Sequence, residues 1–176
     1  IKGDFMKKIT IPILILFILS GCNRGYESLE EAVQSEWNTP IKVVNQDEER
    51  RLVYYLDHDQ HILGVYYYEN GRYKYDNKQS VGITFSSENG LPFFVQANYF
   101  EGVGKIIHGA IKTNEHEVEK FIIQYKNGEK QEILAKNNTF ITEYPKTITT
   151  SIEMFQTEIE NVIGYDKHGE IVESYN

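Results

Sequence analysis

Residues 57–61 hold the densest group of potential metal ligands and acid–base groups in the chain. Asp57, His58, Asp59 and His61 place two carboxylates and two imidazoles within five positions. Such groups bind zinc or transfer protons only when they converge on one point. This segment lies where one predicted strand turns into the next, and alternate side chains of a strand point to opposite faces. We therefore expect a solvated polar turn here, with no metal site and no cofactor.

Tyrosine is the most unusual feature of the composition, because seven tyrosines fall between positions 54 and 75. Residues two apart in a strand share a sheet face, and Asn70-Gly71 is typical of a hairpin turn. The candidate ligand face across that turn consists of Tyr66, Tyr68, Tyr73 and Tyr75. Aromatic rings that carry hydroxyls suit the recognition of a glycan or a peptide. The alternative is that tyrosine simply fits a half-buried pleated surface.

The other chemical motifs are weak. His108, His116 and His168 are scattered, and Ser86-Ser87-Glu88 lacks the Gly-x-Ser-x-Gly elbow of many hydrolases. There is no glycine-rich phosphate loop before a helix and no basic, aromatic RNA-binding pattern. We therefore assign no catalytic residue from the sequence.

Cys22 is the only cysteine, and it follows a segment with the layout of a secretory signal. Lys7 and Lys8 precede an uncharged apolar run over residues 9–19, and small residues follow that run. Eleven helical residues at about 1.5 Å each span only half of a hydrocarbon core of roughly 30 Å. A cleaved signal is therefore a better interpretation than a permanent spanning helix.

The segment Leu19-Ser20-Gly21-Cys22 resembles the lipobox of bacterial prolipoproteins. The resemblance implies diacylglyceryl transfer to the Cys22 sulfur, cleavage just before Cys22, and an outward-facing protein held at the cell membrane by acyl chains such as palmitate. It divides this end into a signal peptide at 6–21 and a lipidated spacer at 22–27. Residues 1–5 precede the first methionine, and we interpret them as an untranslated leader. The alternative for Cys22 is a buried core cysteine.

Composition narrows the remaining function classes. The chain is 40% apolar and 25% charged, as in globular domains. It has 18 basic and 26 acidic side chains. Three of the basic and one of the acidic side chains precede Cys22, so the mature protein has a net charge of about −10. Such a surface is repelled by nucleic acid, and we expect no nucleic-acid partner. If Cys22 is acylated, no thiol remains for a disulfide, a thiolate metal site or a nucleophile.

The elements that position these residues are a short helix and many strands. Ser28 and Glu31 form a capping-box pattern that predicts the start of a helix, and Pro40 ends that segment. Residues 151–160 have an ambiguous pattern that we interpret as a short helix or turn. The predicted strands are Ile41–Val44, Arg51–Leu56, His61–Tyr68, Arg72–Tyr75, Val81–Phe85, Phe93–Phe100, Lys105–Ile111, Val118–Tyr125, Glu129–Ala135, Thr139–Tyr144, Asn161–Tyr165 and Glu170–Glu173.

We therefore predict a mainly β fold, with an antiparallel meander and a β-sandwich-like C-terminal part. Residues 28–92 hold the helix and the tyrosine-rich meander, and residues 93–176 hold the sandwich-like part or form one domain with them. Several C-terminal stretches resemble small β-sandwich modules of Gram-positive extracytoplasmic proteins. They are Gly109-Ala110-Ile111, Phe121 to Tyr125, Asn127-Gly128, Phe140-Ile141 and Val162 to Ile171.

The function favoured by these observations is a tethered, non-enzymatic binding module for an envelope protein, peptide or wall glycan. The alternative is an envelope hydrolase that uses carboxylates or histidines from loops. An exposed tyrosine face without a cleft would favour the first. A deep pocket that gathers two or more of His58, His61, His108 and the acidic residues would favour the second.

Overall fold

The computed structural model describes residues 25–84, 92–112 and 116–176. The predicted leader and signal peptide, Cys22, most of the loop at 86–92 and the turn at Asn114-Glu115 lie outside the described residues.

The described chain consists of one N-terminal helix, eleven strands and a short helical segment before the tenth strand. Helix α1 is Leu29–Gln34, and a 3-10 turn at Ile152–Met154 leads into α2 at Phe155–Glu158. The strands are β1 (Ile41–Asp47), β2 (Leu52–Asp57), β3 (Gln60–Glu69), β4 (Arg72–Thr84), β5 (Phe93–Phe100), β6 (Gly104–Ile111), β7 (Lys120–Tyr125), β8 (Lys130–Leu134), β9 (Thr139–Glu143), β10 (Ile159–Tyr165) and β11 (Ile171–Tyr175).

The capping box at the start of α1 forms as predicted. The Ser28 hydroxyl accepts a hydrogen bond from the Glu31 amide, and the Glu31 carboxylate accepts one from the Ser28 amide, both at 3.2 Å. These bonds satisfy donors that a helix start would otherwise leave open. The apolar side of the helix, Leu29, Ala32 and Val33, is buried.

The strands form three antiparallel sheets. The first sheet has the order β1-β2-β3-β4, the middle sheet β5-β6-β9, and the outer sheet β11-β10-β7-β8. One face of the first sheet packs against α1, through residues such as Val53 and Ile62. Its other face packs against the middle sheet, where Leu52 and Leu63 meet Ile106. The opposite face of the middle sheet packs against the outer sheet.

The largest core cluster lies between the middle and outer sheets. The two sheets meet through Phe93 and Phe140 on one side and Phe121 and Ile123 on the other. The Phe121 and Phe140 ring centroids are 4.6 Å apart. The molecule is therefore layered as helix, first sheet, middle sheet and outer sheet, with neighbouring sheets about 10 Å apart.

The prediction of a mainly β, antiparallel fold is confirmed, and the short helix predicted within residues 151–160 is present. The prediction of two separate strands, Arg72–Tyr75 and Val81–Phe85, is wrong, because one strand, β4, runs from Arg72 to Thr84. Gly64 pairs with Ser80, and the next residue of β3, Val65, pairs with Asp76. The three residues between those partners bulge out of the ladder, and their polar sequence had indicated a break.

Core contacts cross from residues 28–92 to residues 93–176. Phe94, Ile106 and Ala110 belong to the same buried cluster as Val44 and Leu63. Whether the two parts fold as a single domain stays a prediction.

Candidate functional site

The four tyrosines of the predicted ligand face lie on one side of the first sheet, but most of that side is covered. Tyr66 pairs with Tyr75, and Tyr68 pairs with Tyr73, across the β3–β4 hairpin. Tyr66 is only 3% exposed and contacts the cluster beneath α1. The role of the four tyrosines as a ligand face stays a prediction. Tyr68, which is 50% exposed, is the most accessible of the four.

The hydroxyls of the covered tyrosines are occupied by neighbours. The Tyr66 hydroxyl accepts a hydrogen bond from the Gln46 amide at 2.7 Å, and the Tyr55 and Tyr75 hydroxyls are 2.8 Å apart. Trp37 donates from its indole nitrogen to the Tyr55 hydroxyl at 3.1 Å. Burial raises the pKa of Tyr55, Tyr66 and Tyr75. The bond from Trp37 ties the segment after α1 to the sheet, and the other two bonds join strands of the sheet to one another.

A cleft lies on the other face of the same hairpin, where β3 and β4 extend past the end of the middle sheet. We call it the overhang cleft, and its volume is about 750 Å³. That volume is within the range of small-ligand sites. Its walls come from the β1–β2 turn, the overhanging part of β3 and β4, and the β5–β6 turn. The lining is Glu49, Arg50, Arg51, Val65, Tyr66, Tyr67, Asp76, Gln79, Glu101, Gly102 and Val103.

One hydrogen-bond network fixes the polar groups of the overhang cleft. The Tyr67 hydroxyl donates to Asp76 Oδ2 at 3.2 Å, and the Gln79 amide nitrogen donates to the same oxygen at 3.2 Å. The Glu101 backbone amide donates to Gln79 Oε1 at 2.7 Å, and this bond ties the overhang to the β5–β6 turn. The bulge in β4 directs Gln79 into this position.

The cleft carries mixed charge. Arg50 is held by Asp47 at 2.9 Å and by Glu143 at 2.8 Å, so it braces the first sheet against the middle sheet. Arg51 has a positive φ of 59° and is exposed at the rim. Burial and the hydrogen bond to Asp76 raise the pKa of Tyr67, so its hydroxyl remains a neutral donor. The cleft thus presents one aromatic ring, an amide and charges of both signs.

The polar residues at 57–61 lie at the β2–β3 turn and make different contacts. His58 lies at the turn with a φ of 53°, and its Nδ1 is 2.8 Å from Asp57 Oδ1. The hydrogen bond from Thr39, and then the contact with His58, lower the pKa of Asp57. His61 points inward, with Nδ1 3.2 Å from the Tyr54 hydroxyl. No group of three or more His, Cys, Asp or Glu side chains is arranged to hold a metal within the described residues.

A second cleft does gather both histidines of that cluster. Its volume is about 490 Å³, and His58, Asp59, His61 and Glu117 lie in its wall. We call it the histidine cleft. No serine, threonine, cysteine or tyrosine belongs to the lining given by the described residues.

His108 is the most deeply buried histidine of the described chain. It lies between the first and middle sheets, with its Nε2 2.8 Å from Asn98 Oδ1 and its ring beside those of Tyr54 and Phe94. Its Nδ1 has no hydrogen-bond partner within the described residues. Burial, and then the nearby His61, lower the pKa of His108 to about 3, while burial lowers that of His61 to about 4. Both imidazoles are therefore neutral near pH 7.

Comparison with known proteins gives one match. Residues 6–23 match the model of the prokaryotic membrane lipoprotein lipid attachment site. The chain is a membrane-anchored lipoprotein. This confirms the lipobox prediction, and lipidation of Cys22 stays a prediction. No curated protein and no solved structure matches the chain. No helix among the described residues is long and apolar enough to cross a bilayer.

The sequence prediction missed the residues of the overhang cleft. Tyr67 alternates with Tyr66 and Tyr68, so it faces the side of the sheet opposite to the predicted ligand face. The only sequence signal for the cleft was the polar segment inside β4, which we interpreted as a break between strands. A bulge that redirects Gln79 is an equally good interpretation of that segment.

Proposed function

We propose that this lipoprotein is a non-enzymatic binding module that presents the overhang cleft on the extracytoplasmic side of the cell membrane of a Gram-positive bacterium. Its partner is an envelope protein, a peptide or a wall glycan. The observation that carries the proposal is the fixed network of Tyr67, Asp76 and Gln79 in a cleft of about 750 Å³. A network that is already formed loses little entropy on binding, which favours affinity.

The chemistry of the lining supports a short polar ligand. The Tyr67 ring offers an apolar surface, and the carboxylate of Asp76 and the exposed Arg51 offer charges of opposite sign. An aromatic ring next to planar polar groups suits the sugar rings of a glycan or the backbone of a peptide. This arrangement supports recognition without requiring any covalent step.

The test is a binding titration with the full acylated protein in detergent. Soluble wall glycan fragments form one arm, and envelope proteins extracted in the same detergent form the other. We expect saturable binding in one arm, and Tyr67→Ala should weaken it about tenfold, since loss of an aromatic anchor commonly costs 1–2 kcal/mol or more. Tyr99→Ala is the matched control, because Tyr99 is exposed on β5 outside the cleft. Equal binding by the two variants would contradict the proposal.

The histidine cleft supports the second candidate, an envelope hydrolase. Asp57 orients the exposed His58, and a carboxylate that positions an imidazole is a common general-base arrangement. The described lining offers no hydroxyl or thiol nucleophile, and an exposed imidazole beside a carboxylate can activate water for such an enzyme. The test is release of fragments from purified wall material by the intact protein and by His58→Gln. Absence of any release by the unmodified protein would eliminate this candidate.

A further inference from the structure

Three tyrosines form a row across the end of the first sheet, next to the point where the chain enters the fold. Tyr26 pairs with Tyr73 through two backbone hydrogen bonds of 2.8 and 2.9 Å, and Tyr73 pairs with Tyr68 in the hairpin. Directly opposed residues of paired strands share a face, so the three side chains lie side by side. We call this set the tyrosine row. Tyr26 is 42% exposed, and Tyr68, whose ring centroid is 4.6 Å from that of Tyr73, is 50% exposed.

The distance from the lipid to this row is short. Three residues separate Cys22 from Tyr26, and at about 3.6 Å per residue the four steps span at most about 14 Å. A domain of the described size has a radius of gyration of about 15 Å and an outer radius near 19 Å. A tether shorter than that radius holds the side of the domain where it attaches nearest the membrane. The tyrosine row is on that side.

The chemistry of this end fits the lipid interface. Tyrosine is enriched at the boundary between hydrocarbon and headgroups, because its ring is apolar and its hydroxyl reaches water. The hairpin itself is close to neutral, because Arg72, Lys74 and Lys78 offset Glu69 and Asp76. The neighbouring helix segment adds Glu30, Glu31 and Glu36, so the tyrosine rings and not the net charge favour the lipid interface here.

From these observations we propose that the tyrosine row is a membrane-docking surface that rests in the headgroup layer of the lipid bilayer. Docking orients the fold with the β3–β4 turn towards the lipid and the β2–β3 turn, at the opposite end of β3, away from it. The proposal concerns orientation and does not depend on what the overhang cleft binds.

The test uses spin labels on the intact acylated protein in vesicles of phosphatidylglycerol and phosphatidylcholine. Acylation occupies Cys22, so a single introduced cysteine takes the label. Glu69→Cys places it at the β3–β4 turn, and Lys167→Cys places it in the β10–β11 turn of the outer sheet. On reconstitution, the label at 69 should lose accessibility to a water-soluble nickel chelate and gain accessibility to oxygen. The label at 167 should change in neither respect. Equal behaviour at both sites, or deeper immersion at 167, would overturn the proposal.

A second pair of variants distinguishes the effect of the tyrosine row on docking from the effect of the lipid tether. Tyr68→Asp in the Glu69→Cys protein should restore nickel accessibility, because a carboxylate is expelled from the interface. Tyr99→Asp, on β5 and away from the hairpin, should leave it unchanged. If Tyr68→Asp has no effect while circular dichroism shows an intact fold, the row does not contact lipid and the proposal is wrong.

Discussion

The buried His108 should make this fold sensitive to acid, and the size of the effect can be worked out. Its pKa is about 3 in the folded chain, against an ordinary value of 6.5. Below pH 6.5 the unfolded chain binds a proton on this imidazole that the folded chain does not bind until near pH 3. The stabilisation is therefore complete above pH 6.5 and falls by about 1.4 kcal/mol for each pH unit below it.

Between pH 6.5 and pH 4.5 the expected loss from His108 is about 2 kcal/mol, a large share of the 5–15 kcal/mol typical of a domain. His61 acts in the same direction, because its folded pKa is also lowered, to about 4. The carboxylates add their own acid dependence, since the pKa values of Asp57 and Asp166 are lowered as well. A comparison of variants removes that background.

The assay is urea unfolding at pH 6.5 and pH 4.5, followed by tryptophan fluorescence and circular dichroism. His108→Gln keeps an amide that can donate to Asn98 but cannot titrate, so it should lose about 2 kcal/mol less than the unmodified protein over this interval. His168→Gln, in an exposed turn, is the control and should follow the unmodified protein. The same pH dependence in all three proteins would refute the assignment of His108 as a buried neutral imidazole.

The remaining predictions concern packing, capping and the anchor. Gly109→Ala should destabilise the fold by about 1–3 kcal/mol, because a Cβ there would lie 2.5 Å from the Phe94 carbonyl oxygen. Gly82→Ala is the control, because a Cβ at position 82 would meet only side-chain atoms at 3.0 Å or more, and the same urea assay should show a smaller loss of stability. Ser28→Ala should cost about 1 kcal/mol through loss of the capping box, and Ser28→Thr should recover most of it; equal midpoints for both variants would contradict this. Cys22→Ser should move the protein from the membrane fraction to the soluble fraction and abolish incorporation of labelled fatty acid, and continued labelling would place the lipid elsewhere.

Local patterns in the sequence predicted the elements well. The bounds of β5 agree with the prediction residue for residue, and Ser28 and Glu31 identified the helix start because a capping box is a contact between neighbours in sequence. The single strand β4 was missed for the opposite reason. Its polar bulge has the composition of a turn, and only pairing with β3 holds it in the ladder.

The sites depended on contacts that sequence alone does not give. Tyr66 was predicted to be exposed beside Tyr68, but the helix that covers it comes from residues about 35 positions earlier, as judged from the element bounds. His61 and His108 meet the same two rings, Tyr54 and Phe94, only because the first and middle sheets stack. The lipobox was predictable because its signal is contiguous in sequence, and residues 6–23 match the model of the lipid attachment site.

Photo-crosslinking in the native envelope tests most directly whether the overhang cleft binds a component of the envelope. A photoreactive amino acid replaces Glu101, in the wall of the cleft, or Tyr99, outside it. We expect a discrete adduct from position 101, identified by mass spectrometry, that is absent from position 99 and is lost when Tyr67→Ala is added. The same adducts from both positions, or none from position 101, would contradict it.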